Sequence, residues 1–351
     1  MENLVNTFSG CKVLVTGHTG FKGSWLCEWL TLLGADVTGF SSGVPTNPSA
    51  FEQLCLANRV TNLRGDLRDS AAVERAVNSA SPDFVFHLAA QAVVRSGYKR
   101  PMETLETNIL GTVHLLQALR ALEKPCAVIV VTSDKCYENM ERDIGYREGD
   151  PLGGRDPYSA SKACAEILTA AWRSSFFQGH PVRIASARAG NVIGGGDWAT
   201  DRLLPDAVRA LAVGLPVPIR NPHSVRPWQH VLDSLGGYLL LASKLSAGTP
   251  GLDVPFNFGP TPDSHRSVRD LIEIFLKYWP GSWTDASDPD APNEAGKLCL
   301  NIDRAKGILG WTPRWDFETA LQKSADWYRA SLVAPDSMQE LTRDQIRAYT
   351  A

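Results

Sequence analysis

Short runs of apolar, largely β-branched residues alternate along the chain with longer segments in which apolar residues recur at helical spacing. The runs are KVLVTG (12–17), ADVTGF (35–40), VTNLRG (60–65), DFVFHLAA (83–90), AVIVVTSD (127–134) and VRIASARAG (182–190). They are continuously hydrophobic rather than alternating, which is typical of strands covered on both faces. The pattern predicts βαβ units around a parallel sheet, and therefore an α/β fold.

The regular alternation ends near residue 190. Beyond it the chain contains Pro- and Gly-rich stretches that are typical of loops, namely GLPVPIRNPHSVRPW (214–228), GPTPDSHRSV (259–268) and SDPDAPNEAG (287–296). No internal repeat or low-complexity tract interrupts the pattern. We therefore predict that residues 1–190 carry the sheet and that residues 191–351 mainly form a smaller, loop-rich lobe.

Composition narrows the class of protein. The 351 residues include 44% hydrophobic side chains and carry a net charge of -3, which suits a large core and argues against nucleic acid as the main partner. The N-terminal residues lack the features of a signal peptide, and no apolar run is long enough to span a bilayer. We expect a cytoplasmic protein with no membrane partner. The seven cysteines are scattered singly, so we expect reduced thiols and no metal site.

A glycine triplet follows the first predicted strand. In GHTGFKG, residues Gly17, Gly20 and Gly23 recur at three-residue spacing directly before a segment of helical period. Such a turn lets the backbone approach a pyrophosphate, which then meets the free N–H groups at the start of the helix. A P-loop is the competing interpretation, but it requires Gly-Lys-Ser/Thr in that order, and here Lys22 precedes Gly23. His18 and Lys22 either add donors to the diphosphate or are solvated turn residues.

The expected ribose contacts depart from the usual pattern. An acidic residue usually ends the second strand, but Ser41 and Ser42 stand there. No arginine follows to hold a 2′-phosphate, which favours NAD but leaves NADP open. After the third strand, Asp66 and Leu67 face the same crevice. The alternative role for Asp66 is a helix N-cap, for which Asp69 is better placed.

A second motif is DPYSASKACAEIL. Asp156 and Pro157 have the character of an N-cap and a first helical residue, which puts Tyr158 in the first turn and Lys162 one turn later on the same face. A nearby ammonium stabilises a phenolate and lowers the tyrosine pKa from its usual value of about 10. As an isolated pattern the pair is more often solvent-facing. Its place after a glycine triplet and a strand that ends in TSD favours a catalytic pair.

These motifs resemble the extended short-chain dehydrogenase/reductase family. The resemblance spans nearly the whole chain and rests on GHTGFKG (17–23), HLAAQ (87–91), NILGT (108–112), TSDKCYE (132–138), YSASK (158–162), RAGNVIGGGDW (188–198) and LGWTPRWDFETAL (309–321). It implies a Rossmann-type doubly wound parallel sheet that binds NAD, to which a segment near 225–260 returns, and a C-terminal lobe that binds a nucleotide sugar. The implied cofactor-binding residues are Gly17, His18, Gly20, Phe21, Lys22, Gly23, Asp66, Leu67, Ala89, Tyr158 and Lys162.

Within this family, the sequence is more narrowly similar to the nucleotide-sugar 4,6-dehydratases that act on CDP-glucose. Asp134-Lys135 in TSDKCYE, Lys22 in the glycine loop, and RAGNVIGGGDW followed by VRPWQHVLD carry this resemblance. The related dTDP- and GDP-sugar dehydratases have Asp-Glu at the first of these sites, where this chain has Lys135. The resemblance implies a deoxysugar-forming reaction in which NAD oxidises C4 of the sugar, water leaves across C5 and C6, and hydride returns to C6.

This chemistry gives a hypothesis for each reactive residue. Strand-end residues of a doubly wound sheet face the crevice in which ligands bind, so Asp134 and Lys135 are expected to face the substrate. Tyr158 takes the proton of the sugar 4-hydroxyl, and Ser133 hydrogen-bonds the same oxygen. Asp134 is the predicted acid for the 6-oxygen. Lys135 is the predicted base at C5, which requires a lowered lysine pKa. The alternative is that Lys135 forms a surface ion pair with Asp134 or Glu138.

The resemblance also implies substrate ligands. Asn191, Arg226 and Asn257 are placed near the sugar or its diphosphate, and Arg202 is a further predicted substrate-binding residue, because a guanidinium donates two hydrogen bonds to phosphate. Another arginine, Arg220, could help, although an arginine in a polar loop is more often solvated. We expect supporting or packing roles for a further set of polar and aromatic residues: Tyr137, Glu138, Trp198, His223, Trp228 and His230.

The segments 104–122 and 158–178 are amphipathic. In this family the matching helices pair across a two-fold axis into a four-helix bundle, which implies a homodimer, or a tetramer.

Two other functions stay open. A nucleotide-sugar 4-epimerase shares the glycine loop and the Tyr158/Lys162 pair but needs no acid and base for C6 and C5. A non-catalytic nucleotide-binding protein has no need of Tyr158, Lys162 and Ser133 together. The nucleotide base rests on resemblance alone, so a dehydratase for another NDP-hexose is a third alternative.

Overall fold

The computed structural model describes residues 2–288 and 297–351. Most of the predicted loop SDPDAPNEAG therefore lies outside the described residues.

The strands are short, and seven of them form one sheet. In chain order they are β1 Lys12–Thr16, β2 Asp36–Ser41, β3 Thr61–Arg64, β4 Phe84–His87, β5 Cys126–Val131, β6 Val182–Ala189, β7 Val192–Ile193, β8 Val217–Ile219, β9 Val225–Pro227, β10 Gln229–His230, β11 Pro255–Phe258, β12 His265–Ser267 and β13 Trp283–Asp285. The large sheet has the order β11-β6-β5-β4-β1-β2-β3, and all of its neighbouring strands are parallel. Each of the six predicted runs forms one of its strands, which confirms the α/β, doubly wound fold class.

Alternate residues of the central strands belong to different hydrophobic clusters. Val13 and Val15 of β1 pack in one cluster, whereas Leu14 between them packs in the other. Because successive side chains of a strand point to opposite faces, each strand must be apolar throughout. This is the physical reason why the predicted strands appear as unbroken hydrophobic runs.

Helices cover both faces of the sheet. In chain order they are α1 Glu2–Phe8, α2 Phe21–Leu32, α3 Ala50–Gln53, α4 Ser70–Ala80, α5 Val94–Lys99, α6 Pro101–Leu105, α7 Gly111–Leu119, α8 Pro157–Phe176, α9 Leu203–Ala212, α10 Val231–Ser246, α11 Val268–Tyr278, α12 Phe317–Val333 and α13 Met338–Thr350. A π-helical turn joins α6 to α7 without a break. Among residues 2–288 and 297–351, no helix combines the length and the hydropathy needed to cross a bilayer.

Two helix starts that position the site are as predicted. Asp69 precedes α4, and its side chain accepts a hydrogen bond from the backbone N–H of Ala72 at 3.1 Å. Asp156 caps α8 in the same way, through the N–H of Ser159 at 3.0 Å, and Pro157 is the first helical residue. These caps satisfy N–H groups that a helix start otherwise leaves free.

The chain beyond residue 190 both returns to the sheet and builds a smaller lobe. Strand β11 pairs with β6, and α10 packs against β5 and β6. The remaining strands form three small pairs, β7 with β10, β8 with β13, and β9 with β12. The last helix, α13, packs on α2, where the fully buried Glu28 forms ion pairs with Arg59 and Arg343. The helix that follows the glycine loop is thereby held at its outer face. The division of the chain at residue 190 into two domains remains a prediction.

Candidate active site

A cavity of about 1310 Å³ opens at the carboxyl ends of the sheet strands, between the sheet and the lobe. This is where ligands bind in open parallel sheets. Most of the predicted site residues line it: Gly17, Gly20, Phe21, Lys22, Gly23, Asp66, Leu67, Ala89, Ser133, Asp134, Lys135, Tyr158, Lys162, Asn191, Arg202 and Arg226.

The glycine loop is packed so tightly that side chains are excluded from it. Gly17 has φ +77°, and a Cβ on it would lie 2.7 Å from the backbone of Ala89. A Cβ on Gly23 would lie 2.1 Å from the carbonyl oxygen of Gly17. Helix α2 starts directly after Gly20, which provides no side-chain cap. The first N–H groups of α2 are therefore left to an anionic ligand, and the loop fits the diphosphate of a dinucleotide.

The two polar side chains of this loop differ in position. His18 is fully buried, and its ring nitrogens form hydrogen bonds to Ser41 Oγ at 3.0 Å and Asn62 Oδ1 at 2.9 Å. Its side chain does not line the cavity, so the predicted cofactor contact of the His18 side chain is corrected to a structural link to the end of β2. Lys22 does line the cavity and donates to Tyr238 Oη at 3.3 Å. Burial, aided by neighbouring cations, lowers the pKa of Lys22 to about 7.

The region predicted to bind the ribose contains hydroxyl groups and an ion pair. Ser41 and Ser42 line the cavity at the end of β2, where an acidic residue is usual. Asp66 lines it as well and is held by the guanidinium of Arg68, at 2.6 Å between Oδ2 and Nη2. Hydrogen bonds from Arg68 hold the pKa of Asp66 below its usual value. Asp66 does not cap α4, since Asp69 does so.

The TSD segment ends β5 in a tight turn directed at the cavity. Ser133 Oγ accepts from the backbone N–H of Lys135 at 3.2 Å and donates to Asp134 Oδ1 at 2.9 Å. Asp134 is only 2% exposed, and its Oδ2 has no hydrogen-bond partner among the described residues. Burial raises the pKa of Asp134, although the nearby charges of Lys135 and Arg226 act in the opposite direction. The arrangement favours a protonated carboxyl group.

Lys135 is half-buried and lines the same cavity. Within the described ranges it forms no ion pair within 4.0 Å, either with Asp134 or with Glu138. The alternative that this lysine serves only in a surface ion pair is therefore not supported. Its ammonium or amine group remains available to a ligand in the cavity.

Tyr158 and Lys162 lie one turn apart on α8, and both are buried. Burial raises the pKa of Tyr158 to about 12, against the lowering effect of its hydrogen bond with Ser133. Burial lowers the pKa of Lys162 to about 8, against the opposing charge of Glu166. The predicted direction for the tyrosine was a lowered pKa. The structure gives the reverse, because the loss of water around a phenolate raises the pKa by more than the neighbouring groups lower it.

A buried polar network behind these residues was not predicted. Glu166 lies one turn beyond Lys162 on α8 and accepts hydrogen bonds from Thr132 Oγ1, from Ser186 Oγ at 2.8 Å and from Arg188 Nη2 at 2.8 Å. The side chains of Glu166 and Arg188 are 2% and 3% exposed. The network ties the helix that bears the Tyr158/Lys162 pair to β5 and β6. A charged residue in the apolar run of β6 was the sequence signal for it.

The same network explains two residues near the cavity. Arg188 Nη1 donates to Tyr137 Oη at 2.7 Å, and this hydroxyl donates to Asn257 Oδ1 at 2.7 Å. Tyr137 thus has the supporting role that was predicted for it. The amide nitrogen of Asn257 donates to the backbone carbonyl oxygens of Tyr146 and Asn301. Asn257 is fully buried and does not line the cavity, so its predicted contact with substrate is corrected to a structural role.

Three predicted substrate residues do line the cavity. Arg226 is buried beside Asp134, and Asn191 follows the end of β6. Arg202 lines the same cavity and pairs with Asp197 at 2.7 Å, which raises the pKa of Arg202. Another arginine, Arg220, is ion-paired with Asp201 at 2.6 Å. Cationic side chains of the lobe therefore face the cavity, where they suit a diphosphate.

The histidines and tryptophans of the lobe have the expected packing or surface positions. His230 is fully buried and packs edge-on against Trp25. His223 is exposed. Trp198 and Trp228 are buried at the cavity wall.

Comparison with known proteins agrees with this geometry. The chain matches the NAD dependent epimerase/dehydratase family over residues 13–257. It is 44% identical over 340 residues to the CDP-glucose 4,6-dehydratase of Salmonella typhimurium, an alignment that covers 95% of this chain and 94% of that relative. It is 31% identical over 337 residues to the dTDP-glucose 4,6-dehydratase of Streptomyces antibioticus, covering 91% and 92%. A solved UDP-glucose 4-epimerase of Thermus thermophilus in complex with NAD has a TM-score of 0.78 at 25% identity, covering 91% of this chain and 99% of that chain. The chain belongs to the NAD dependent epimerase/dehydratase family.

Proposed function

We propose that this protein is an NAD-dependent hydro-lyase of deoxysugar biosynthesis that converts CDP-glucose to CDP-4-dehydro-6-deoxyglucose and water. The observation that carries the proposal is the buried carboxyl group of Asp134, whose pKa is raised by burial, beside Lys135, which has no ion-pair partner within the described ranges, in the same cavity as Tyr158 and Lys162. The 44% identity to a CDP-glucose 4,6-dehydratase over 95% of the chain supports the substrate.

The residues that hold the cofactor are those of the glycine loop and the neighbouring strand ends. The N–H groups at the start of α2 would receive the diphosphate, Asp66, Leu67 and Ala89 would flank the dinucleotide, and Lys162 would donate to a ribose hydroxyl. When bound, NAD accepts the hydride of the sugar C4 and supplies it to C6. Arg226, Arg202 and Asn191 hold the sugar nucleotide.

The first step produces a ketone at C4. Tyr158 removes the proton of the 4-hydroxyl as the hydride leaves C4, and the hydroxyl of Ser133, which donates to Asp134 Oδ1 in the structure, turns to donate its single proton to the same oxygen. Tyr158 must act from its phenolate form, which burial disfavours and which the positive charge of Lys162, whose pKa is about 8, stabilises before the proton is taken up. The ketone then acidifies the proton on the neighbouring C5.

The second step eliminates water. Lys135 takes the C5 proton, the electron pair left behind forms the C5–C6 double bond, and the C6–O bond breaks. Asp134 gives its proton to the departing oxygen, which leaves as water. As hydride enters at C6, Lys135 returns the proton to C5. The proton taken up by Tyr158 then replaces the one lost by Asp134, and Ser133, which hydrogen-bonds both groups, lies on the direct route.

A substrate survey tests the proposal. The pure protein and NAD are incubated separately with CDP-, dTDP-, GDP- and UDP-glucose, and the products are analysed by mass spectrometry. We expect loss of one water from CDP-glucose and no net reduction of NAD. Loss of water from another NDP-glucose instead would correct the nucleotide base. Unchanged mass with conversion to the galacto isomer would indicate a 4-epimerase, and no reaction with any sugar would contradict the substrate class.

We further propose a homodimer in which α6, α7 and α8 form the contact. Met102 and Leu110 in the α6–α7 segment are 64% and 50% exposed, and Ile167 on α8 is 54% exposed. The elements that carry these side chains contact one another, and several large exposed apolar side chains on neighbouring helices are typical of an interaction surface. Analytical ultracentrifugation is expected to give a dimer or a tetramer, and Ile167→Asp is expected to dissociate it. A monomeric native protein would contradict the proposal. A cytoplasmic location remains a prediction.

A further inference from the structure

The two carboxyl oxygens of Asp134 have different surroundings. Oδ1 accepts the hydroxyl proton of Ser133 at 2.9 Å. Oδ2 is buried and has no hydrogen-bond partner in the part of the chain that the structure describes. A protonated carboxyl group carries its proton on one oxygen while the other remains an acceptor. Burial favours the protonated form of Asp134, and the geometry assigns the proton of that form to Oδ2.

Gly190 lies directly against this oxygen. It follows β6, and a Cβ on it would lie 2.9 Å from Oδ2 of Asp134 and 3.3 Å from Cγ of Pro227. A carbon at 2.9 Å overlaps the oxygen, so an added methyl group would force the carboxyl group to turn. Gly190 is not among the residues with a positive φ, so its backbone accepts alanine without strain. The main conflict is with the carboxyl group.

We propose that Gly190 is a positioning residue for Asp134: the absence of a side chain at Gly190 leaves the space that Oδ2 occupies, and this sets the orientation from which the carboxyl group reaches the sugar 6-oxygen. This inference rests on the proposed function. In the elimination, the proton on Oδ2 must reach the 6-oxygen as the C6–O bond breaks and the C5 electron pair forms the double bond.

Gly190→Ala is the direct test. We expect kcat for dehydration of CDP-glucose to fall by about tenfold, because a displaced acid loses much of a general-acid contribution of about 10²- to 10⁴-fold. KM is expected to change less than about twofold, because the diphosphate ligands are unaltered. The matched control is Gly149→Ala, since Gly149 is exposed, has no positive φ and has nothing within 4 Å of an added Cβ. Its kcat is expected to be unchanged.

A double-mutant cycle shows whether Gly190→Ala acts through the carboxyl group. Asp134→Asn has nearly the same shape but cannot donate an acidic proton. In the Asp134→Asn background, Gly190→Ala is expected to lower the residual kcat by less than about twofold, because the group it displaces has already lost its function. A further tenfold loss in that background would overturn the inference, since it would mean that the methyl group acts elsewhere.

A titration keeps this result separate from the proposed function. If the wild-type protein dehydrates no sugar nucleotide, the proposed function fails, and the inference is then decided by the ¹³Cγ resonance of Asp134, assigned with the Asp134→Asn variant. The cations that act on this group are Lys135, Arg226 and Lys22, and none of them is altered. Gly190→Ala is expected to move the titration of Asp134 to higher pH, because the turned carboxyl group loses the hydrogen bond from Ser133. An unchanged titration would overturn the inference.

Discussion

Replacing Glu166 with glutamine tests whether the buried ion pair fixes the reactive side chains. The carboxylate accepts three hydrogen bonds, from Thr132, Ser186 and Arg188. The carbonyl oxygen of a glutamine in the same place keeps the two bonds from Ser186 and Arg188, while the hydroxyl of Thr132 can turn to accept from the new NH₂ group. The substitution therefore removes the charge but keeps the shape and most of the hydrogen bonds.

The expected cost follows from the burial of the partner. The Arg188 side chain is 3% exposed, so Glu166→Gln leaves a buried cation without its anion. Removing one partner of a buried ion pair destabilises a protein by about 3–5 kcal/mol, and the retained hydrogen bonds put this case near about 3 kcal/mol. There is also a functional effect. The charge of Glu166 raises the pKa of Lys162 against the effect of burial, so this pKa falls below about 8 in the variant.

Two measurements check this prediction. Urea unfolding gives the change in the free energy of unfolding, with Glu74→Gln on the exposed face of α4 as the matched control, for which we expect a change within about 0.5 kcal/mol. The alkaline limb of the pH profile of kcat/KM is expected to move to lower pH in Glu166→Gln, because the lower pKa of Lys162 makes this residue lose its proton at a lower pH. A loss of stability below about 1 kcal/mol together with an unmoved alkaline limb would refute the reasoning.

Three further predictions address the chemistry and the packing. Tyr158→Phe removes the proton acceptor for the 4-hydroxyl, so kcat is expected to fall by at least about 10²-fold with little change in KM, as measured from product mass; a smaller loss would mean that another base serves. Lys135→Met spares oxidation at C4 but removes the base, so rapid mixing is expected to give reduced nicotinamide absorbance without loss of water, whereas normal turnover would exclude Lys135 as the base. Burial raises the pKa of the fully buried Asp233 to about 6, so its proton is held more tightly in the folded protein. Because of this group, the free energy of unfolding is expected to fall by about 3 kcal/mol as the pH rises from about 4 to about 6. Urea unfolding of Asp233→Asn over the same pH range should lack this decrease.

The sheet could be predicted from sequence where each strand contacts helices on both faces. The central strands β1, β4, β5 and β6 are of this kind, and their apolar runs follow from it. The edge strand β3 has no buried residue, and its run VTNLRG is largely polar. Strand β11 was not predicted as a strand, although a return of the chain near 225–260 was expected from the resemblance. Its four residues, Pro255–Phe258, become a strand because β6 offers an unpaired edge. The place of that edge depends on the folded sheet, and no local pattern in the sequence encodes it.

The site could be predicted at the level of which loops meet, but not at the level of where each side chain points. His18 lies in the glycine loop as predicted, yet its ring turns toward Ser41 because Gly39 beside it has no side chain. The motif of Asn257 predicts a polar residue near the strand ends. In the structure, however, its side-chain amide forms hydrogen bonds with Tyr137 and with two backbone carbonyl groups. In both cases the direction depends on packing against residues that are distant in sequence.

The protonation states depend on the same packing, and they change how the motif should be interpreted. A sequence rule places a cation near a tyrosine and infers a phenolate. In the structure, burial shifts Tyr158 and Asp134 toward their neutral forms and lowers the pKa of Lys162. The burial that makes Tyr158 a poor base therefore also favours the protonated form of Asp134, which can donate a proton. The elimination needs that proton, whereas oxidation at C4 does not, so a change that rehydrates the crevice should impair loss of water more than it impairs oxidation.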